Sequence, residues 1–141
     1  MNKLIAHALV ENSNGEVLIL KRTMIKRGKP NFEGGRWDIP GGTVEEGETP
    51  SQAAVREAKE EVNLDVESDG IIFEKSNYDV NKGIMFTTLI YKCHVIGDMD
   101  IKLQLEEHDE YRWIRNEEII NMNSDVLVSY MKELFNMLIN G

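Results

Sequence analysis

A cluster of three glutamates at helical spacing is the feature that most constrains this chain. Glu57, Glu60 and Glu61 stand at positions i, i+3 and i+4, so an α-helix through this segment projects all three carboxylates from one face. Like charges at that spacing repel each other by about 0.2–0.5 kcal/mol per exposed pair. Because a bound cation relieves this repulsion, the spacing indicates a metal site. The alternative interpretation is an ordinary solvated acidic surface.

The residues around the glutamates predict a helix that begins at Pro50 and ends before Asn63. Thr49 is a good N-cap, Pro50 fits the first helical position, and Gln52 stands where a capping-box partner belongs. Asn63 ends the helix because Asn accepts the left-handed backbone conformation found just beyond a helix C-terminus. The apolar side of this helix is formed by Ala53, Ala54, Val55, Ala58 and Val62.

Arg56 has two interpretations that the sequence leaves open. It stands one turn before Glu60, so the two side chains can form a surface ion pair, which contributes little stability. Its guanidinium can instead hold a neighbouring carboxylate in one rotamer, as residues behind a metal site do.

The segment 42–64 reads GTVEEGETPSQAAVREAKEEVNL and follows WDIPGG at 37–42. The spacing of its Gly, Glu, Arg-Glu and Glu-Glu resembles the signature of the Nudix hydrolases, and the Pro-Gly-Gly segment resembles the lead-in that many members carry. Two residues depart from that pattern. Ala58 replaces a larger aliphatic residue, which trims packing under the helix, and Asn63 replaces a glycine but still tolerates a positive φ.

The resemblance implies a fold and a metal site. We expect an α/β protein, an α/β/α sandwich with a mixed β-sheet between helices, in a single Nudix domain over residues 1–141. Glu60 and Glu61 are expected to be the main ligands of Mg²⁺, with Mn²⁺ as a substitute. Glu57 is expected to be a further ligand or to orient the attacking water. The Gly41 carbonyl is expected to be another ligand.

The same resemblance assigns supporting roles to the rest of the signature. Arg56 is expected to orient Glu57 and to take part in catalysis. Glu48 is expected to bridge structurally near the start of the helix, and Gly42 belongs to the structural turn before it. Mg²⁺ prefers oxygen ligands and keeps several waters, so a few carboxylates and substrate phosphate oxygens suffice to hold it.

A second acidic segment, EEHDE at 106–110, precedes the tryptophan of a short predicted strand. Members of the family often carry a glutamate in a mobile loop here, as a metal ligand or general base. Glu107 stands at a matching distance from Trp113, so we assign that role to Glu107. His108 either assists proton transfer or substrate contact or is an uninvolved loop histidine.

A basic island interrupts this acidic chain, and it comprises Lys21, Arg22, Lys26, Arg27, Lys29 and Arg36. One interpretation is a clamp for substrate phosphates, since guanidinium groups suit bidentate contacts. The other is a solvated, flexible loop. Arg22 ends a predicted strand and is therefore our candidate for substrate binding.

Composition limits the partners of the protein. The chain has 141 residues, 41% hydrophobic and 29% charged, as expected of one globular domain. Its net charge of −9 argues against a nucleic-acid polymer as partner. Cys93 is the only cysteine, which excludes an internal disulfide and indicates a core thiol. The sequence predicts neither a signal peptide nor a membrane-spanning segment, so we expect a cytoplasmic protein.

The remaining elements are predicted from periodicity and turn residues. Asn14-Gly15 predicts a hairpin, and 21–36 is expected to be a loop. The segment 124–139 has the apolar spacing of an amphipathic helix. Trp37 and Trp113 are expected in the core. Strands are predicted at 4–10, 17–20, 37–39, 71–74, 84–95 and 111–114.

These features predict a Mg²⁺-dependent pyrophosphohydrolase whose substrate is a small nucleotide. A nucleoside triphosphate is favoured because the chain shows no extra substrate-binding segment, while ADP-ribose, nucleotide sugars and dinucleoside polyphosphates stay open. Two alternatives are a nucleotide-sensing domain without catalysis and a nonspecific acidic metal-binding protein. A homodimer through the C-terminal helix or the N-terminal strand is also open.

Overall fold

The computed structural model of the protein describes residues 1–140, which form nine strands and three α-helices. The predicted single domain over 1–141 thus includes one residue outside the described part. The strands are β1 Asn2–Glu11, β2 Val17–Arg22, β3 Ile25–Lys26, β4 Lys29–Pro30, β5 Trp37–Asp38, β6 Gly41–Thr43, β7 Val66–Asp79, β8 Ile84–Val95 and β9 His108–Ile114. The helices are α1 Pro50–Val62, α2 Asn116–Ile120 and α3 Met131–Asn140, with a 3₁₀ turn at Ser124–Val126.

Seven of the strands form one mixed sheet. Its main path runs β5-β2-β1-β8-β7, with β6 paired to β1 and β9 paired to β2. Strands β1 and β8 are parallel, and the other pairs in this sheet are antiparallel. The hairpin predicted at Asn14-Gly15 joins β1 to β2, and Gly15 has the positive φ of 76° that such a turn requires. The predicted mixed sheet is confirmed.

The two faces of the sheet bury separate apolar clusters, because successive strand residues point to opposite faces. On one face, Ala6, Ala8 and Val10 of β1 pack with Ala54 and Ala58 of α1. The other face meets helices α2 and α3 through a cluster that includes Leu9, Ile19, Trp37, Ile119, Leu134 and Phe135. Helices therefore cover both faces of the sheet, as the predicted sandwich requires.

Helix α1 has the boundaries that the sequence predicts. The Thr49 hydroxyl accepts a hydrogen bond from the Gln52 N–H at 3.3 Å, and the Gln52 side-chain oxygen accepts one from the Thr49 N–H at 2.9 Å. Asn63 follows the helix with φ 63° and donates its N–H to the Lys59 carbonyl. Both ends are thus fixed by local contacts.

The predicted C-terminal helix over 124–139 is wrong in its first turns. Residues 124–126 form a 3₁₀ turn, and α3 begins at Met131. Between them, Leu127 pairs with Trp37 in an isolated bridge, and the Val128 N–H donates to the Trp37 carbonyl at 3.0 Å. Pairing with a distant strand outcompetes the helical periodicity here. The short helix α2 was not predicted.

Other boundaries differ because strand pairing extends the elements. The strand predicted at 71–74 is part of β7, which pairs with β8 along its length. The strand predicted at 111–114 begins at His108, whose partner is Arg22 on β2. The loop predicted at 21–36 contains the β3–β4 hairpin. The turn predicted at Gly41-Gly42 is part of β6, which pairs with β1.

Several smaller predictions concern the core. Cys93 is fully buried, and burial raises the pKa of its thiol to about 12, so it is a core thiol as expected. Trp37 is buried, while Trp113 is half-buried against the α1 side of the sheet. Within residues 1–140, no helix is both long and apolar enough to cross a membrane.

The left-handed residue after α1 provides a test of its helix cap. Replacing Asn63 by Gly or by Ala removes the same hydrogen bond, which the Asn63 amide donates to the Asp100 carbonyl. Only Ala keeps a Cβ, which costs about 1–2 kcal/mol at positive φ. We therefore expect Asn63→Ala to be less stable than Asn63→Gly by about 1 kcal/mol, measured by urea unfolding. Equal stabilities would contradict this account of the cap.

Candidate functional site

Helix α1 lies close to strand β6 at two glycines of the strand, Gly41 and Gly42. The Gly41 N–H donates to Glu61 Oε2 at 2.8 Å. A Cβ on Gly42 would lie 2.6 Å from Glu57 Oε1, and a Cβ on Gly41 would lie 2.2 Å from the Nδ1 of His7. Such distances are too short for real contacts. Gly42 therefore leaves room for the Glu57 carboxylate against the β6 backbone, and Gly41 leaves room for His7 of β1.

Arg56 connects four groups at the start of this site. Its guanidinium donates two hydrogen bonds to Glu48, at 3.1 and 2.8 Å, and one to Glu57 at 2.8 Å. It also donates to Glu60 at 3.1 Å and to the Thr43 carbonyl at 3.1 Å. The structure thus contains both contacts that the sequence left open: the ion pair with Glu60 one helical turn later, and the hydrogen bond to the neighbouring carboxylate of Glu57.

The charges in this network support one another. The hydrogen bond from Arg56, followed by that from the Glu45 N–H, lowers the pKa of Glu48. The hydrogen bond to Glu48 in turn raises the pKa of Arg56, against its partial burial. Arg56 is therefore a fixed cation that holds the Glu57 carboxylate in one orientation.

Glu61 is the buried carboxylate of the site, with 4% of the residue exposed. Burial raises its pKa well above the usual value, and the nearby charge of Glu57 raises it further. The hydrogen bond from the Gly41 N–H acts in the opposite direction but does not cancel these effects. A buried acid beside a second carboxylate is stabilised by a cation.

His108 lies close to the Glu61 carboxylate. It is the first residue of β9 and is only 3% exposed. Its Nδ1 lies 3.5 Å from Glu61 Oε1 and finds no hydrogen-bond partner in the part of the chain described here. Burial lowers the pKa of His108 to about 4, although Asp38 and Glu107 raise it, so the ring is neutral near pH 7.

Glu107 lies beside His108 and is anchored to the β2–β3 region. Its carboxylate forms an ion pair with Lys26 at 2.9 Å. Its backbone carbonyl accepts a hydrogen bond from the Thr23 N–H at 3.0 Å. The Thr23 hydroxyl donates to the Glu106 carbonyl at 2.9 Å. Burial raises the pKa of Glu107, but the contact with Lys26 and smaller effects that include the charge of Arg22 together outweigh it, so that pKa is lowered overall.

A buried network that the sequence did not reveal lies behind these groups. The Tyr130 hydroxyl donates to Asp38 Oδ1, and Arg22 donates to Asp38 Oδ2 at 3.3 Å. The His7 imidazole donates to the Ile39 carbonyl at 3.0 Å. The position of Asp38 in the Pro-Gly-Gly lead-in was one available signal. Tyr130 is 92 residues away from Asp38, and no local pattern identifies such a partner.

The structure brings only part of the predicted set together. Glu61, Glu107 and His108 each offer one ligand atom, and these three atoms lie within 4.8 Å of one another. Glu57 lies near enough to raise the pKa of Glu61. The Glu60 side chain is 57% exposed and faces Arg56. Its role as a ligand, like the roles of the other predicted site residues, stays a prediction.

Arg22 is close to the site but is already engaged. Besides Asp38, its guanidinium contacts the Phe32 carbonyl at 2.8 Å and the Asn31 side chain at 3.4 Å. Its charge nevertheless lowers the pKa of Glu107 and His108. Arg22 therefore connects the 31–38 segment to the site, and its contact with substrate stays a prediction.

The donor set suits a divalent cation. Carboxylate oxygens are the usual ligands of Mg²⁺ and Mn²⁺, and neutral imidazole binds first-row transition ions. The buried acid of Glu61 and the unpartnered Nδ1 of His108 are two groups whose polar atoms a cation satisfies. The described residues of the site therefore fit a bound metal ion.

Comparison with known proteins assigns the family. The family model of the NUDIX domain matches residues 1–135. The chain belongs to the Nudix family. It is 31% identical over 138 residues to an uncharacterized Nudix hydrolase of Listeria monocytogenes, covering 95% of this chain and 78% of that one. It is 30% identical over 145 residues to an RNA pyrophosphohydrolase of Gluconobacter oxydans, covering 91% and 78%.

The fold of this Nudix chain is also similar to solved structures. The MutT protein from Methanosarcina mazei Go1 superposes with a TM-score of 0.81 at 26% identity, covering 99% of this chain and 94% of that one. The predicted α/β sandwich and the resemblance to Nudix hydrolases are confirmed. The protein is a Nudix hydrolase, and pyrophosphohydrolase chemistry on small nucleotides is general to its family.

The close approach at Gly42 can be tested by adding one methyl group. Gly42→Ala places a Cβ 2.6 Å from Glu57 Oε1, and we expect the flexible carboxylate to move away while the fold persists. Displacing a reacting group by about 1 Å costs up to about a hundredfold in rate, so turnover should fall while the melting temperature changes little. Gly97→Ala is the control, because its Cβ would meet only Asp65, at 3.4 Å. Wild-type turnover in Gly42→Ala would contradict the packing argument.

The ion pair of Glu107 gives a second test. Lys26→Met removes the contact that lowers the pKa of Glu107, while burial continues to raise it. We expect the pKa of Glu107 to rise, measured by carbon-13 NMR titration of the glutamate carboxyl groups. Lys29→Met on the same hairpin is the matched control, because Lys29 is exposed. A pKa of Glu107 that stays the same in Lys26→Met would show that the ion pair does not form in solution.

Proposed function

We propose that the protein is a metal-dependent pyrophosphohydrolase that cleaves the phosphoanhydride of a nucleoside triphosphate. The observation that carries this proposal is the buried Glu61 carboxylate, held between the β6 backbone, Glu57 and the Glu107–His108 pair in a chain of the Nudix family. Such a convergence of acids favours a divalent cation, Mg²⁺ or Mn²⁺ in its place, and a phosphorylated substrate.

The residues proposed to hold the cation come from three elements. Glu57 and Glu61 project from α1, Glu107 precedes β9, and the Gly41 carbonyl belongs to β6. Glu60 is proposed to join them from the exposed edge of α1. A divalent cation bound there would neutralise phosphate charge and lower the pKa of a bound water.

The protein's own groups position the reactants. Arg56 holds the Glu57 carboxylate, which supports a role for Glu57 in orienting the attacking water. Water adds to one phosphorus atom, the bridging P–O bond breaks, and the departing phosphate takes the bonding electrons. Glu107 is the proposed ligand or acceptor of the water's proton. Arg22 is the proposed contact to substrate phosphate, supported by its charge near Glu107.

The proposed substrate class rests on fewer features. The preference for a nucleoside triphosphate over ADP-ribose, nucleotide sugars and dinucleoside polyphosphates is carried over from the sequence-based expectation. The net charge of −9 disfavours a long nucleic acid. The name of the Gluconobacter relative nevertheless makes RNA with a 5′-triphosphate a necessary test compound. A homodimer and a cytoplasmic location stay predictions.

A sensing domain without catalysis is the second candidate, and the carboxylates argue against it. Arg56 keeps contacts to Glu48 and Glu57, and the acidic side chain of Glu61 is buried. A protein that only binds nucleotide has no need for these costly acids. Binding without turnover remains the result that favours this candidate.

The proposal is tested with Mg²⁺ and a panel of nucleoside triphosphates, ADP-ribose, nucleotide sugars, dinucleoside polyphosphates and 5′-triphosphate RNA, with products separated by chromatography. We expect selective turnover of a nucleoside triphosphate. Glu61→Gln should lower kcat/KM by about a hundredfold or more, because the charge that holds the cation is lost. Glu60→Gln tests the exposed ligand, and Glu46→Gln is the control at an exposed glutamate.

The outcomes separate the candidates. Selective turnover that Glu61→Gln abolishes supports the hydrolase and identifies its substrate class. Wild-type turnover in both Glu60→Gln and Glu61→Gln would contradict the proposed site. Thermal stabilisation by a nucleotide without turnover of any compound would favour the sensing domain.

A further inference from the structure

We propose that His108 supplies a nitrogen ligand to the cation of this site, which gives the protein a preference for Mn²⁺ and Co²⁺ over Mg²⁺. The proposal rests on the proposed function only in placing a cation at Glu61. It differs from the metal site that the sequence predicts, which consists of oxygen ligands alone. Three observations carry it: the burial of the ring, its unpartnered nitrogen, and the distances to two carboxylates.

The first observation is that the His108 ring is held inside the protein. It begins β9 opposite Arg22 of β2, and its side chain is only 4% exposed. The segment before it is fixed by the two hydrogen bonds from Thr23. Because backbone pairing fixes the strand, the ring is pre-positioned toward Glu61 rather than free in a loop.

The second observation is that the Nδ1 of His108 is buried without a hydrogen-bond partner in residues 1–140. Buried polar atoms in folded proteins are nearly always paired, so an orphaned one needs an explanation. Glu61 Oε1 lies 3.5 Å from this nitrogen. That distance is too long for a good hydrogen bond. A metal ion between the two atoms satisfies both.

The third observation is the spacing of the donor atoms. Two atoms that each bind one ion at about 2.1 Å cannot lie more than about 4.2 Å apart. The 3.5 Å between His108 Nδ1 and Glu61 Oε1 is within this limit. A donor oxygen of Glu107 completes the group, whose members all lie within 4.8 Å of one another. To bind the same ion, Glu107 would exchange its 2.9 Å ion pair with Lys26 for the cation.

The nitrogen ligand has a consequence for metal choice. Mg²⁺ favours oxygen ligands and retains its waters, whereas imidazole suits transition ions, whose affinity rises from Mn²⁺ to Co²⁺. The other two histidines have different surroundings. His7 donates to the Ile39 carbonyl, and the exposed His94 pairs with Asp69 at 2.9 Å. The preference is therefore assigned to His108 alone among the histidines of the chain.

The test detects nitrogen bound to Mn²⁺ directly, without substrate. Mn²⁺ is added to the protein, and electron spin-echo envelope modulation measures the coupling of the Mn²⁺ unpaired electrons to ¹⁴N. We expect the coupling in wild type and in the control His94→Gln, and its loss in His108→Gln. The affinity for Mn²⁺ relative to Mg²⁺, measured by competition, should fall by about tenfold or more in His108→Gln.

A measurement on the unmutated protein guards against a variant that fails to fold. Labelling the histidines with ¹⁵N should replace the ¹⁴N modulation by that of ¹⁵N. Bound Mn²⁺ without any histidine coupling in wild type would overturn the proposal, as would coupling that persists in a folded His108→Gln. Hydrolysis with Mg²⁺ but no nitrogen signal would refute this inference alone. A nitrogen signal in a protein that hydrolyses no nucleotide would refute the proposed function alone.

Discussion

The structure of the site depends on the close approach of helix α1 to strand β6. Gly41 and Gly42 leave no room for a Cβ against His7 and Glu57, and the fully buried alanines of α1 pack directly on β1. Small residues on both sides bring the helix near enough for the Gly41 N–H to reach Glu61. A side chain at Gly42 would displace the Glu57 carboxylate, and one at Gly41 would press on His7 of β1, so packing and chemistry are set by the same constraint.

This approach has an electrostatic cost that the surrounding groups offset only in part. Glu61 is buried beside Glu57, and both burial and the neighbouring charge oppose its ionisation. Arg56 lies at the other end of the group and is shared by Glu48, Glu57 and Glu60. Its single charge cannot neutralise all of these acids. We expect a cation to balance the excess of negative charge on the C-terminal half of α1.

The success of the sequence predictions follows the range of the interactions that decide each element. Helix α1 was predicted to the residue because Thr49, Gln52 and Asn63 cap it through local contacts. The start of α3 was not, because the pairing of Leu127 with Trp37 overrides a helical pattern. The acids of the signature could likewise be identified from their spacing. The burial of His108 could not be predicted, because it follows from pairing with a strand more than eighty residues earlier.

The site therefore joins a part that is fixed locally with a part that is fixed by tertiary contacts. Helix α1 carries its carboxylates on a backbone capped at both ends, whereas Glu107 and His108 depend on the contacts of Thr23 and Lys26. The hydrogen bonds of Thr23 go to backbone carbonyls, so they hold the segment before β9 in place and leave the Glu107 and His108 side chains free of these contacts. The Lys26 ion pair is different, because it occupies the Glu107 carboxylate itself. A cation that binds Glu107 would compete with Lys26, so we expect metal binding to affect the β3–β4 hairpin.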